Sequence, residues 1–290
     1  MDYGIYHTTF QLDGEPLVSV IIPNKDHRAD LDACIRPMLQ KGTYKNLEFI
    51  VVENNSAEPE TFQYYEEIQK EFSNVHVVRW EREFNYSAIN NFGVAFAKGE
   101  YLLFMNNDIG MIAENFVEEM MGFCQRDDVG IVGARLLYED DTIQHAGVVW
   151  GLSGFAGHVF TGFPKSYYGF MMRARVSGNY SAVTGACLMA DRKAFEQVGG
   201  FSEDFVVALN DIDFCLKVRQ LGLLVVFDAF SEWHHYESKS RGYEDTPEKK
   251  ARFQGEIQRF QDKWPDILRD GDPYYNPNFG YYQWPFTLKA

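Results

Sequence analysis

The sequence predicts an α/β fold built on a central, mostly parallel sheet flanked by helices. Three observations predict it. Short apolar, β-branched runs alternate with helix-patterned stretches through residues 17–105, the rhythm of strand–helix–strand units. Polar and turn residues cluster just past the runs, as they do where open parallel sheets bind ligands. The composition is globular, 46% hydrophobic and 24% charged, and 290 residues make one large domain with elaborations.

Each element follows in order. LVSVII (17–22) is a strand that stops at Pro23. Residues 31–39 carry helical spacing, with Asp30 as a candidate cap and Pro37 expected to kink or shorten the helix. LEFIVV (47–52) is a second buried strand, ending at Glu53-Asn54-Asn55-Ser56. An amphipathic helix over 59–72 and a strand over 75–78 follow. Residues 88–97 form a helix stopped by Gly99, and 101–105 a fourth strand. Further on, helices are expected over 115–124, 192–198 and 211–221, and strands over 130–135, 142–149 and 223–227. Residues 181–190 are mostly apolar, and 151–170 form a glycine- and aromatic-rich loop. A polar helix over 247–264 ends at Pro265, and the tail from Gly271, with three prolines and seven aromatics, reads as extended.

A net charge of −15 argues against a nucleic-acid partner. Cys34, Cys124, Cys187 and Cys215 show no metal-type spacing, so they read as free buried thiols in a reducing compartment. The N-terminal MDYGIYHTTFQLDGEP does not read as a signal peptide. No apolar run approaches the ~18 residues of a membrane span, so work near a membrane requires recruitment.

Three polar stretches carry the chemistry. The strand at 101–105 runs into Asn106-Asn107-Asp108. Taken alone this is good turn chemistry, yet a carboxylate at a buried strand end costs desolvation unless paired or metal-bound. Asn210-Asp211-Ile212-Asp213 opens a helix, where carboxylates complement the dipole. That account covers Asp213 better than Asp211, which follows an apolar run and has the half-buried setting a general base needs. WHHYESKSRG (233–242) holds adjacent histidines, which point to opposite sides if the segment is extended. Ser238, Ser240 and Arg241 in the same stretch resemble a phosphate cradle. Together the stretches offer a hard-metal ligand, a base and an anion site, suited to transferring a group activated by a nucleoside diphosphate.

These residues carry a resemblance. VSVIIPNKD (18–26), FIVVENNS (49–56), FNYSAINNFGVAFAKGEYLLFMNND (84–108), TIQHAGVVWG (142–151), VTGACLMADRKAFEQVGGFSEDF (183–205), LNDIDFCLKVR (209–219) and HYESKSRG (235–242) resemble, in order and number, family 2 glycosyltransferases. Those are inverting enzymes of the GT-A nucleotide-sugar fold. The look is that of bacterial enzymes building surface polysaccharides or glycosylating surface proteins, and DPYYNPN (272–278) resembles that subgroup too.

The resemblance implies a domain over 15–245, with a nucleotide half (15–110) and an acceptor and catalytic half (111–245). It leaves an extension at 1–14 and a helix and aromatic tail at 246–290. It implies Asp108 and His235 as ligands of Mn2+ or Mg2+, Asp211 as base, and Glu53 on the nucleotide base. Pro23, Asn24, Asp26, Asn55, Asn85, Asn91, Asn106, Asn107 and Arg241 complete the nucleotide set, and Thr184, Gly185 and Asn210 line the sugar and acceptor pocket. It implies a UDP- or dTDP-hexose as donor. The implied acceptor is a glycan, a lipid-linked saccharide or a glycoprotein, met in the cytoplasm or at the inner face of the membrane.

The chain departs from the pattern in places. The DxD motif keeps only its last Asp, Asn210 stands where the family often has Glu, and the QxxRW of processive synthases is absent. One sugar is therefore expected per encounter. A sugar-nucleotide pyrophosphorylase would want a glycine- and arginine-rich loop that IPNKDHRAD lacks. A non-catalytic carbohydrate-binding relative is opposed by Asp211 and His235. His145 reads as a satisfied strand-end histidine, Trp233 as packing, and the aromatic tail as a homo-oligomer contact.

Overall fold

A computed structural model describes residues 4–236, 246–282 and 284–289. Strand β1 (Val18–Asn24) leads to helix α1 (Arg28–Lys41), β2 (Leu47–Glu53) to α2 (Pro59–Glu71), and β3 (Val75–Arg79) to α3 (Tyr86–Val94). Then come β4 (Tyr101–Met105), β5 (Ile109–Met111), α4 (Phe116–Cys124), β6 (Val129–Leu137), β7 (Ile143–His145) and β8 (Val148–Trp150). They are followed by β9 (Ala156–His158), β10 (Gly178–Tyr180), β11 (Cys187–Asp191), α5 (Arg192–Gln197), α6 (Asn210–Gln220) and β12 (Leu224–His235). Helices α7 (Pro247–Lys263) and α8 (Pro265–Asp270) precede the tail.

Among the described residues one sheet runs β10-β12-β6-β11-β4-β1-β2-β3, with β5 added to β12 and β7 to β6. Strands β3, β2, β1 and β4 are parallel, and β6 is parallel to β12. β11 runs antiparallel between β4 and β6, so six of the long strands point the same way. Successive residues alternate between two cores. Ile21, Ile50 and Phe104 face α3 and α6. Val20, Ile22, Phe49 and Met105 face α1, α2 and α4. Every residue of β2 is buried, as expected for a strand covered on both faces.

Four expectations meet a different outcome. Helix α1 continues through Pro37 and caps at His27, while Asp30 lies in its first turn. A mid-helix proline costs about 3 kcal/mol. Burying Leu31, Cys34, Ile35 and Met38 on the sheet offsets that, at about 1.5–3 kcal/mol each. The expected strand over 142–149 divides into β7 and β8, which pair in different sheets. Gly147 turns the chain between them at φ 104°, and a Cβ there would meet the Tyr180 ring at 2.5 Å. Strand β12 runs on to His235, beyond the expected 227, because its second half pairs with β5 and with the end of β6. Pro265 ends α7 but also opens α8, where a missing N–H costs nothing.

The tail folds onto its own chain. Phe286 stacks on Phe160 at 5.1 Å and on Phe170 at 5.5 Å, Tyr275 is buried, and Asp272 accepts from the Trp150 N–H at 3.1 Å. Self-association through this tail draws no support from these contacts, since Tyr275, Phe279 and Phe286 are already covered. No described helix is long and apolar enough to cross a membrane.

Candidate active site

The carboxyl ends of β1, β2, β4 and β12 meet on one edge of the sheet. The end of β1 is tied to the end of β4: Asn107 Nδ2 donates to Asn24 Oδ1 at 2.6 Å, and Asn24 Nδ2 donates to the Tyr65 hydroxyl at 2.7 Å. The Tyr65 hydroxyl keeps its proton, pushed up to about 12 by burial. Pro23 pairs with Val52 beside them. Asp26 Oδ1 accepts from the Ala57 and Glu58 N–H groups, both at 2.8 Å, at the entry to α2. Glu53 is buried and accepts from the Ser56 N–H, and Asn55 Nδ2 donates to the Arg82 carbonyl at 2.8 Å. Asp26, His27 and Asn55 all have left-handed backbones, at φ 52°, 50° and 57°. Non-glycine residues hold such conformations only where surroundings enforce them, often at functional sites.

Asn85 and Asn91 serve a neighbouring loop. Asn85 caps α3, accepting from the Ala88 N–H at 3.0 Å, and donates to the Glu203 carbonyl at 2.8 Å. Asn91 accepts from the Phe201 N–H and donates to its carbonyl, both at 2.9 Å. Arg241, with Ser238 and Ser240, lies outside the described residues.

The pairing of β12 with β5 sets His235 opposite Ile109, and the Tyr236 N–H donates to the Asp108 carbonyl at 3.0 Å. His235 Nε2 thereby sits 3.2 Å from Asp108 Oδ1 and 3.1 Å from Asn106 Nδ2. Its Nδ1 lies 2.6 Å from Gln144 Oε1. Asp108 and His235 are both buried, and Asp108 Oδ1 has no hydrogen-bond partner. The contact with the ring is short without being a hydrogen bond. An unpartnered buried carboxylate oxygen beside an imidazole nitrogen is a donor pair suited to a divalent cation. Among the described residues no cluster of three or more His, Cys, Asp or Glu could hold a metal. The fit is thus that of two protein ligands, plus the Asn106 amide oxygen on rotation and the oxygens of a diphosphate. Cys34 beneath donates weakly to the Asn106 carbonyl at 3.7 Å, its thiol pushed up to about 12 by burial and by Asp108. It is an inert thiol.

Asp211 stands in the first turn of α6, behind Leu209 at φ 62°. Its Oδ2 accepts from the Gly185 N–H at 2.9 Å and its Oδ1 from the Ile212 N–H at 2.8 Å. The Tyr86 hydroxyl donates to the Gly185 carbonyl at 2.8 Å, and burial followed by Asp211 raises its proton affinity, so it stays a phenol. A Cβ on residue 185 would lie 3.2 Å from both Asp211 Cβ and the Tyr86 oxygen. The pocket glycine expected from sequence is here a close-approach glycine. Asn106 N–H donates to the Ala186 carbonyl at 3.0 Å, so Gly185 adjoins the Asp108 corner. Asn210 Nδ2 donates to the Val207 carbonyl at 2.9 Å, and the Thr184 N–H donates to His145 Nε2 at 3.4 Å. His145 is fully buried with Nδ1 unpartnered, and burial holds its proton affinity well below the usual imidazole range. It is half satisfied, and neutral.

Comparison with known proteins decides the family. The model described as glycosyl transferase family 2 matches residues 19–199. The chain belongs to glycosyl transferase family 2. It is 44% identical over 287 residues to the uncharacterized protein y4gI of Sinorhizobium fredii, covering 98% of this chain and 31% of that protein. It is 37% identical over 279 residues to the O-antigen biosynthesis protein RfbC of Myxococcus xanthus, covering 94% and 21%. The chain therefore spans less than a third of the length of these relatives. Two solved structures share the fold. GalNAc-T7 with UDP, GalNAc and Mn2+ superposes with a TM-score of 0.71 at 15% identity, covering 89% of this chain and 50% of that one. The mannosyltransferase PcManGT from Pyrobaculum calidifontis, in complex with GDP-Man and Mn2+, gives 0.64 at 16% identity, covering 88% and 65%.

For this family 2 chain, sequence reasoning named most of the residues at the edge and missed Tyr86 and the role of Gln144. Tyr86 lies inside the quoted 84–108 stretch, but nothing local says that its hydroxyl reaches residue 185. Gln144 meets His235 across 91 residues, a pairing with no local signal. A cavity of about 800 Å3 opens between Arg135, Lys165, Arg175 and Glu232. None of the expected site residues lines it.

Proposed function

We propose that the chain is an inverting, non-processive hexosyltransferase using a UDP- or dTDP-hexose. Its acceptor is a hydroxyl of a glycan, a lipid-linked saccharide or a glycoprotein. The observation that carries this reading is Asp211, half-buried and held by the Gly185 and Ile212 N–H groups, with Gly185 next to Ala186, whose carbonyl accepts from the Asn106 N–H beside the Asp108–His235 pair. Each carboxylate oxygen keeps a lone pair for an acceptor hydroxyl. Asp211 takes the hydroxyl proton. The hydroxyl oxygen then bonds to the anomeric carbon from the face opposite the diphosphate, and the anomeric carbon–oxygen bond breaks with its electron pair leaving on the nucleoside diphosphate. Configuration inverts.

Asp108 and His235, with the Asn106 amide, would hold Mn2+ or Mg2+. A cation bound there neutralises charge on the diphosphate oxygens. Glu53, Asp26 and Asn55 stand where the nucleoside would lie, on the two loops past β1 and β2. Four buried free thiols support a reducing compartment, hence work in the cytoplasm, peripheral to the membrane when the acceptor is lipid-linked.

A panel of nucleotide sugars assayed with Mn2+ or Mg2+, against Asp211→Asn, tests this. General-base loss is expected to lower transfer about 10²–10⁴-fold while donor binding holds. Unchanged transfer by Asp211→Asn removes the base, and full activity in EDTA removes the metal.

A further inference from the structure

Among the described residues, the side chain of Gln144 makes the shortest hydrogen-bonding contact to His235. Gln144 Oε1 lies 2.6 Å from Nδ1, a distance that only an N–H donor on the ring permits. On the far side of the ring, Asn106 Nδ2 lies 3.1 Å from Nε2 and carries only hydrogens to offer. With the two amides oriented this way, both contacts fit one tautomer: Nδ1 protonated, Nε2 bare. Asp108 Oδ1 lies 3.2 Å from that bare nitrogen, outside hydrogen-bonding geometry and without a partner.

We propose that Gln144 is a positioning residue that holds His235 in the Nδ1–H tautomer and so keeps Nε2 bare for a cation beside Asp108. The alternative tautomer would put a proton on the nitrogen that faces the proposed cation site. Gln144 stabilises the opposite arrangement with a buried acceptor on the other side of the ring. It is well fixed for the task. It is buried, it sits on the short strand β7 against β6, and its carbonyl lies 3.1 Å from His158 Nδ1 and 3.2 Å from the Thr161 hydroxyl. Ligand histidines commonly have their second nitrogen held in this way. The inference rests on the metal reading given above, but the tautomer is a property of the metal-free protein and is measured without any sugar donor.

The test uses the protein as described, free of metal, at a pH where imidazoles are neutral. Two-bond 15N–1H correlation spectra of the histidine side chains report which nitrogen carries the proton. His235, assigned by loss of its signals in His235→Gln, is expected as Nδ1–H in the wild type. An Nε2–H wild-type ring overturns the proposal with no variant needed. Gln144→Met, similar in volume and without the oxygen, is expected to move the proton to Nε2. It should also weaken Mn2+ binding in the presence of UDP, followed by electron paramagnetic resonance, about 10- to 100-fold. Gln144→Glu restores an acceptor oxygen and is expected to restore both. If Gln144→Met leaves the tautomer and the Mn2+ affinity unchanged, Gln144 does not position the ring. If Gln144→Met does not fold, the wild-type tautomer and the Gln144→Glu affinity decide alone, and an affinity loss in Gln144→Glu like that of His235→Gln overturns the proposal. Failure of wild-type protein to bind Mn2+ with UDP removes the metal reading, while the tautomer measurement still judges Gln144.

Discussion

Two buried aspartates of this chain have opposite surroundings. Asp213, fully buried, is saturated: the Ser202 hydroxyl donates to it at 2.6 Å, the Trp264 indole at 2.8 Å, and Lys263 pairs with it at 2.7 Å. It pins α6 to the end of α7. Asp108, nearly as buried, has an oxygen that no group satisfies. A saturated buried carboxylate stabilises the fold, whereas an orphaned one raises its energy and is retained where something else is meant to bind. The contrast separates scaffold from site better than burial does. It also runs along a single turn of helix, since Asp211 lies two residues from Asp213 and keeps free lone pairs.

The sharpest break of this comparison is Asp108→Ala. Transfer supported by Mn2+ is expected to fall about 10²–10³-fold, while the urea midpoint stays the same or rises, because an unpaired oxygen is removed. A full rate at low Mn2+ would put Asp108 on the scaffold side. The mirror experiment is Asp213→Ala, expected to cost about 2–3 kcal/mol of stability by stranding the Trp264 N–H. That figure is held down because Lys263 reaches water. The rate of the folded fraction should stay within about twofold, and urea unfolding beside initial rates checks both.

A third buried carboxylate tests the rule through pH. Asp228 accepts from Ser177 and from the Phe230 and Ser231 N–H groups, yet burial dominates and raises its proton affinity from 3.8 to about 6. A carboxyl with a raised folded value stabilises the fold fully below its unfolded value and loses that contribution as pH rises through the folded one. Wild-type stability should therefore decline between about pH 4 and pH 7 by roughly 2 kcal/mol more than that of Asp228→Asn. Parallel curves for the two proteins would contradict it. The smallest expected effect is at the proposed base. Gly185→Ala brings a methyl against Asp211 and Tyr86, each 3.2 Å from it. A shift of the carboxylate by a few tenths of an ångström is expected to lower kcat about 10-fold with KM for donor unchanged. An unaltered kcat would show that Asp211 needs no fixed place.

The fold was largely legible in the sequence because β-branched runs and their polar endings are local signals. The first four strands and the helices between them fall where periodicity puts them. What failed was also local in cause. Pro37 reads as a breaker until the sheet supplies the burial that offsets it, and 142–149 reads as one strand until the Tyr180 ring requires a glycine turn beside it. At the candidate site, Asp108, His235, Asp211, Glu53 and Gly185 could be named because unusual residue types stand at strand and helix ends. Their partners could not. Asn85 and Asn91 look like ligand amides in sequence, and only the packed loop at 201–205 shows that they hold backbone.

The sequence by itself therefore determined the α/β layout, the polar edge and the residue types on it, since these depend on neighbours within a few positions. The tertiary structure decided which of those polar groups are already satisfied. Asn106 meets His235 across 129 residues and Gln144 meets it across 91. Hydrogen bonds are short and directional. Which atom carries a proton, and which carboxylate is left without one, is settled only when distant strands bring their side chains within about 3 Å of each other.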